Sequence, residues 1–186
     1  ELLDLFFACA RLGAMLVPLN WRLAAPELLF IIQNCAASVL FADEEFRPTI
    51  DTIRPKIEDC RFVGYGGGKD WLDYEKILKA ASGDDSNPHV TYETPFLVVY
   101  TSGTTGRPKG AVLTQNAIAW NAVNSAHLFD LTSADIILTF LPMFHVGGLN
   151  IQTTPALHAG GTIVLQRRFD PGAALEAIRE FRPTQM

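Results

Sequence analysis

The sequence predicts an α/β fold of largely parallel sheets flanked by helices. Three observations carry that reading. Short apolar runs rich in β-branched and aromatic residues recur along the chain, helical segments of ten residues or more separate them, and Pro, Gly and Ser/Thr/Asp punctuate the joins. Strands held that far apart are not joined by tight hairpins; they pair in parallel, with the helices packed on the sheet faces.

Taken in order, residues 1–13 read as a helix with Glu1, Asp4 and Arg11 on one stripe and apolar residues almost everywhere else. No Ser, Thr, Asp or Asn cap precedes it. An apolar run at 15–19 leads to a helix over 26–36 with Pro26 at its first position. Residues 39–41 form a short buried strand, and 44–53 a helix opened by acids and stopped near Pro55. A strand at 61–63 and a helix at 70–81 follow. The polar stretch 82–89 is the best linker in the chain, with a subdomain boundary expected near 82–95. Beyond it come a strand at 96–100, a helix at 114–128 capped by Thr114, and a strand at 136–140. A small helix over 146–158, a strand at 162–165 and a helix at 171–181 complete the pattern. The chain stops at Pro183-Thr184-Gln185-Met186, where a further strand would start. A first helix without lead-in and a last strand barely begun give the expectation of a partial domain, truncated at both ends.

Composition narrows the class. Of 186 residues, 48% are hydrophobic and only 19% charged, with 12 Phe and 3 Trp, which excludes a disordered chain. The net charge of −5 argues against a nucleic-acid module, where a basic patch is expected. Between Gly110 and Gln166 only Asp130 and Asp135 are charged. Pro142, Gly147, Gly148, Asn150, Pro155, Gly160 and Gly161 interrupt that gap, so it lacks the roughly 20 unbroken apolar residues of a membrane span. It reads as interior. Cys9, Cys35 and Cys60 show no CxxC or Cys/His ligand spacing and lie in or beside apolar runs, so they read as small buried hydrophobes in a reducing cytosol. His89, His127 and His158 have no paired spacing, and no metal site is expected.

Most of the chemistry lies in Tyr100-Thr-Ser-Gly-Thr-Thr-Gly-Arg-Pro-Lys-Gly110. Thr101, Ser102, Thr104 and Thr105 supply hydroxyls, and Gly103, Gly106 and Gly110 let backbone N–H groups converge on one spot. Lys109 adds a mobile positive charge. These residues make a cradle for phosphate oxygens, expected between a strand and a capped helix and at the strand's carboxyl end. A Walker A loop is a near miss: Pro108 stands where Gly should precede the lysine, and Gly110 replaces the Mg²⁺-binding hydroxyl. Gly64-x-Gly66-x-x-Lys69 mimics a dinucleotide fingerprint but lacks its third Gly, and reads as a surface turn.

The segment Tyr100–Gly110 resembles, at every position, the signature phosphate loop of the AMP-forming adenylating enzymes. That superfamily includes acyl-CoA synthetases, peptide-synthetase adenylation domains and firefly luciferase. Leu141-Pro-Met-Phe-His-Val-Gly-Gly148 is similar to the family's aromatic segment lining the acyl pocket. The segment Gly13-Ala-Met-Leu-Val-Pro-Leu-Asn-Trp-Arg-Leu23 resembles the acyl-CoA synthetase branch, of the fatty-acid–CoA ligase kind. The resemblance covers essentially the whole chain but only part of the family's layered αβαβα amino-terminal domain.

The resemblance implies a two-step activation of a carboxylic acid, first by ATP to an acyl-adenylate and then by transfer to coenzyme A. It implies that Thr101, Ser102, Gly103, Thr104, Thr105, Gly106 and Lys109 contact the ATP phosphates. Phe144, His145 and Gly147 would line the acyl pocket, with His145 as wall or gate and Gly148 letting the backbone pass close to substrate. Met143 and Trp120 are expected in the core. The family's Mg²⁺ ligand, ribose-binding Asp and carboxy-terminal domain with its catalytic lysine lie beyond residue 186, so the fragment is expected to be inactive alone. Gln115 stands where many relatives have His. A peptide-synthetase type of adenylation domain and a non-catalytic nucleotide-binding module remain the alternatives. The acyl substrate and the oligomeric state are not legible.

Overall fold

The structure, a computed structural model, describes residues 1–83, 87, 89–101 and 107–186. The elements are α1 (Leu2–Leu12), α2 (Ala25–Asn34), β1 (Val39–Ala42), α3 (Arg47–Ile53), β2 (Arg61–Gly64), β3 (Leu72–Asp73) and α4 (Tyr74–Ala80). They continue as β4 (Pro95–Thr101), β5 (Lys109–Thr114), α5 (Gln115–Leu128), β6 (Ile136–Thr139), a π-helix (Gly147–Thr153), α6 (Thr154–His158), β7 (Thr162–Leu165) and α7 (Pro171–Phe181). The chain divides into two compact units, one of Leu19–Ser86 with Tyr100–Gly110, the other of Glu1–Pro18, Asn87–Val99 and Ala111–Met186.

The unit built on Leu19–Ser86 holds a parallel sheet ordered β1-β2-β3, with Val39 opposite Arg61 and Val63 opposite Leu72. Strand β3 takes the first residues of the predicted 70–81 helix. Asp73 then caps α4 by accepting from the Lys76 N–H at 3.1 Å, so the helix starts at Tyr74. At the start of α2 the Glu27 carboxylate accepts from the Ala24 N–H at 2.9 Å, half of a capping box, with Pro26 in the first turn as expected. Leu28, Ile32, Leu40, Ile50, Ile53, Phe62 and Trp71 form the core. The predicted 44–53 helix is split, a 3-10 turn at Glu44–Phe46 running into α3 where Pro48 enters the first turn. The Gly64–Lys69 segment turns at Tyr65–Gly66, directly after β2, as expected, although Gly64 and Gly67 are buried rather than on the surface. The Arg47 guanidinium holds it by donating to the carbonyls of Tyr65 and Gly67.

The other unit is centred on Phe6, Phe96, Leu97, Ile118 and Leu149. Phe6 of α1 meets Phe96 of β4 edge-on at 4.6 Å between ring centroids. Burying side chains of this size contributes about 1.5–3 kcal/mol each. Helix α1 ends at Gly13, whose φ of 70° closes it in the left-handed region, and a Cβ there would also lie 3.0 Å from Val90 Cγ2. Strands β6 and β7 pair in parallel from Ile136–Thr162 to Thr139–Leu165. On the other side of β6, Ile137 pairs in parallel with Gln185, and the Leu138 N–H donates to the Gln185 carbonyl at 3.0 Å. Thr184–Gln185 therefore already runs as strand backbone. The Leu16–Leu97 bridge is also parallel.

Two expectations are corrected here. The sequence suggests a phosphate loop leading from strand to helix, but residues 109–114 form β5, which pairs with β4. The Gln115 N–H meets the Thr94 carbonyl at 3.0 Å, at the end away from the loop, so the two strands run antiparallel. Thr114 still caps α5, accepting from the Ala117 N–H at 3.2 Å. Trp120 is not in the core but 59% exposed. It lies two residues from buried Ile118, about 200° around the helix and so on the opposite face. Met143 does pack against the core.

Candidate functional site

The loop's two feet are described. Thr101 ends β4 and Lys109 begins β5, both exposed, so paired strands bring the ends of the Gly-rich segment together. Ser102, Gly103, Thr104, Thr105 and Gly106 lie outside the described residues. The foot on β4 has a fixed neighbour: the Tyr100 hydroxyl donates to Asn34 Oδ1 at 2.6 Å. Burial pushes the Tyr100 phenol above its ordinary pKa, and the Cys35 thiol nearby adds to the rise. The phenol therefore stays protonated, a donor, at neutral pH.

The second candidate segment lies in the other unit, between β6 and the π-helix. The Pro142 carbonyl accepts from the His145 N–H at 3.1 Å, and the His145 carbonyl accepts from the Leu149 N–H at 3.1 Å, turning the chain into the helix. His145 is exposed, and its Nδ1 accepts from the Gly147 N–H at 3.0 Å. That bond orients the exposed ring. Phe144 and Gly147 flank it, half-buried. Gly148 is buried, and a Cβ there would sit 2.6 Å from the Leu141 carbonyl oxygen and 2.7 Å from that of Pro142. Only a glycine lets the helix start against those carbonyls. The structure thus gathers Phe144, His145 and Gly147 on one turn.

The π-helix itself was not legible. π-turns are rare and recur at functional sites. Here the Thr153 hydroxyl donates to the Gly148 carbonyl at 2.7 Å, five residues back, and Asn121 Nδ2 from α5 donates to the Asn150 carbonyl at 2.6 Å. Buried Asn150 keeps its Oδ1 without a hydrogen-bond partner. Asn121, Asn150 and Thr153 are the residues sequence reasoning missed. Their only signal was two amides and a hydroxyl in an otherwise apolar stretch. Gln115, the departure from the family pattern, makes a tertiary contact of its own. Its Nε2 donates to the Ala10 carbonyl at 2.9 Å, tying α5 to α1.

A cleft of about 200 Å³ opens between Phe129, Leu131, Ile137, Ile151, Gln152 and the terminal Gln185–Met186 pair. It is smaller than the ~300–1,000 Å³ usual for ligand pockets and holds none of the predicted site residues. Among the described residues no three His, Cys, Asp or Glu side chains gather as metal ligands, and no helix is long and apolar enough to cross a membrane. The three cysteines are free and half-buried, and burial raises the pKa of each thiol.

A hydroxyl- and glycine-rich sequence whose two ends lie on paired strands, in an α/β chain with parallel sheets, is of the kind that can bind phosphate groups. The chain belongs to the AMP-binding enzyme family, whose model matches residues 1–186. It is 51% identical over 187 residues to the indoleacetate–CoA ligase of Aromatoleum aromaticum, covering 99% of this chain and 36% of that protein. It is 37% identical over 182 residues to a feruloyl-CoA synthase of Amycolatopsis sp., covering 98% and 35%. Among solved structures it superposes on the inhibitor-bound N-terminal domain of FACL13 from Mycobacterium tuberculosis. There the TM-score is 0.87 with 32% identity, over 98% of this chain and 45% of that one. The chain therefore spans about a third of the length of the curated relatives it matches, and its fold is that of the amino-terminal domain of adenylate-forming enzymes.

Proposed function

We propose that the chain is part of an AMP-forming ligase that joins a carboxylic acid to coenzyme A. The substrate carboxylate oxygen attacks the α-phosphorus of ATP, the bond to the β-phosphate oxygen breaks, and pyrophosphate leaves. The coenzyme A thiol then attacks the acyl carbon of the adenylate, its proton is lost, and AMP departs. In the first step charge grows on the leaving pyrophosphate. Fixed donors aimed at that charge lower the barrier most in such chemistry. Thr101, Ser102, Gly103, Thr104, Thr105, Gly106 and Lys109 serve as those donors. The observation that carries the reading is the complete Gly-rich signature, set between paired strands, in a chain of the AMP-binding enzyme family.

Phe144, His145 and Gly147 line the acyl pocket, with His145 as wall or gate rather than general base. The acid is aromatic rather than a long-chain fatty acid. The support is the names of the two relatives at 51% and 37% identity, which act on indoleacetate and ferulate. Ligands for Mg²⁺ and the carboxy-terminal domain belong to the rest of a protein of the relatives' length, of which this chain spans about a third. The 186-residue chain alone is then inactive, and the whole enzyme works in the cytosol, in keeping with its free thiols.

The test is ATP–pyrophosphate exchange and thioester formation by the full-length protein. The panel contains indole-3-acetate, a hydroxycinnamate and a long-chain fatty acid. Exchange stimulated by an aromatic acid and followed by its CoA thioester is the expected result. Exchange without transfer to coenzyme A favours the peptide-synthetase type, and a preference for the fatty acid refutes the aromatic assignment. Exchange by the isolated 186 residues refutes the inactivity of the fragment.

A further inference from the structure

We propose that Asn34 is a positioning residue for the Gly-rich loop, acting through the Tyr100 hydroxyl. The inference rests on the adenylation reading above and adds to it a residue 66 positions away in sequence, outside the signature. Tyr100 immediately precedes Thr101, the first candidate phosphate contact, so whatever holds its side chain holds the end of β4 where the loop departs. Its Oη–Oδ1 distance of 2.6 Å to Asn34 is at the short end for a hydroxyl hydrogen bond.

The acceptor has a rigid base. Asn34 is the last residue of α2, a helix buried through Leu28, Ile31 and Ile32. The helix end is closed by the Cys35 N–H, which reaches back to the Ile31 carbonyl at 3.0 Å. The helix holds the Asn34 backbone, while the side chain is exposed and takes its direction from the bond to Tyr100. Tying Tyr100 to α2 fixes the strand end that carries Thr101 before ATP arrives, which is preorganisation. The Tyr100 phenol carries its proton at neutral pH, as any phenol does, and donates it to the Asn34 oxygen. Asn34 touches no reacting atom in this role, so its effect falls on ATP affinity rather than on the chemistry.

The test uses the full-length protein. Tyr100→Phe removes only the hydroxyl, and Asn34→Ala removes only the acceptor while placing a better helix former at the end of α2. Each is expected to raise KM for ATP about 3–10-fold, the scale of one net hydrogen bond, with kcat and KM for the acid within about 2-fold. The double variant should be no worse than either single one, because both break the same bond. Asn34→Asp, which retains an oxygen acceptor, should stay within about 2-fold of wild type. Additive losses, an Asp variant as poor as Ala, or a lowered Tm with unchanged KM for ATP would each overturn the assignment. If wild type shows no exchange with any acid, the adenylation reading fails instead. Calorimetric ATP binding then decides this inference: weaker binding by the two single variants supports it and equal binding overturns it.

Discussion

Replacing Gly148 by alanine isolates what the π-helix start demands. The added Cβ would lie 2.6 Å from the Leu141 carbonyl oxygen, 2.7 Å from that of Pro142 and 2.9 Å from the Leu141 carbonyl carbon. All three are backbone atoms, so no rotamer change relieves them. Carbon and carbonyl oxygen ordinarily approach no closer than about 3.3 Å, so the two segments must part by about 0.7 Å. Strain of that kind typically costs about 1–3 kcal/mol, and two blocked carbonyls place this site near the upper end. Gly147 is the internal control, because the nearest atoms its Cβ would meet belong to side chains, His145 Nδ1 at 3.3 Å and Leu141 Cδ1 at 3.7 Å. That ring is exposed and can give, so Gly147→Ala should cost less than about 1 kcal/mol. Urea unfolding of the full-length protein, comparing the two variants, reads the difference. In the same proteins, the displaced 141–148 turn should raise KM for the acid more in Gly148→Ala than in Gly147→Ala. Equal stability of the two variants, within about 0.5 kcal/mol, would overturn this steric account.

Three further expectations follow from single sites. Lys109→Ala in the full-length enzyme should lower adenylate formation about 10²–10³-fold, with a much smaller effect on acid binding, measured by exchange kinetics and acid titration; equal losses would argue against a phosphate role. The Asp135 carboxylate accepts from the Thr184 hydroxyl at 2.7 Å, the Thr132 N–H at 2.7 Å and the Thr132 hydroxyl at 2.9 Å, which holds its pKa below the usual carboxylate value. A depressed folded pKa contributes stability above the unfolded value and loses it as pH falls through the folded one. Asp135→Asn should therefore lower Tm at neutral pH and converge on wild type in acid, and a pH-independent gap would contradict this. Because burial raises the thiol pKa of Cys9, Cys35 and Cys60, all three should label with a thiol reagent at neutral pH more slowly than a free cysteine; one that labels as fast would not have the environment described.

Local chemistry made most elements readable. The Thr162–Leu165 strand and the Pro171–Phe181 helix coincide with the sequence reading, because Gly160-Gly161 and Asp170-Pro171 punctuate them. The misreadings share one cause, a competition that local pattern does not resolve. Residues 70–73 have helical spacing, yet Leu72 and Asp73 find a free edge of β2 and become strand. Residues 109–114 give little strand signal, because a six-residue run beside a glycine loop is ambiguous until β4 is there to pair with. Trp120 reads as core when size and apolarity are weighed without its position around α5. The Gly-rich segment was legible as a motif because residue types at fixed spacing carry its resemblance to the family. The π-helix, with Asn121, Asn150 and Thr153 around it, was not, because an extra residue per turn leaves no periodic mark in seven positions.

Hydrophobic period and helix caps were enough to specify the α/β class, and one dense motif carried the resemblance to the family. Each of these depends on residues close together in the chain. Packing had to be seen before the loop could be recognised as strung between antiparallel strands rather than leading into a helix. The same holds for Gly148, locked against two carbonyls, and for Tyr100, tied to Asn34. These contacts join residues whose meeting depends on how whole elements pack, and pairwise distance is not written in local order along the chain.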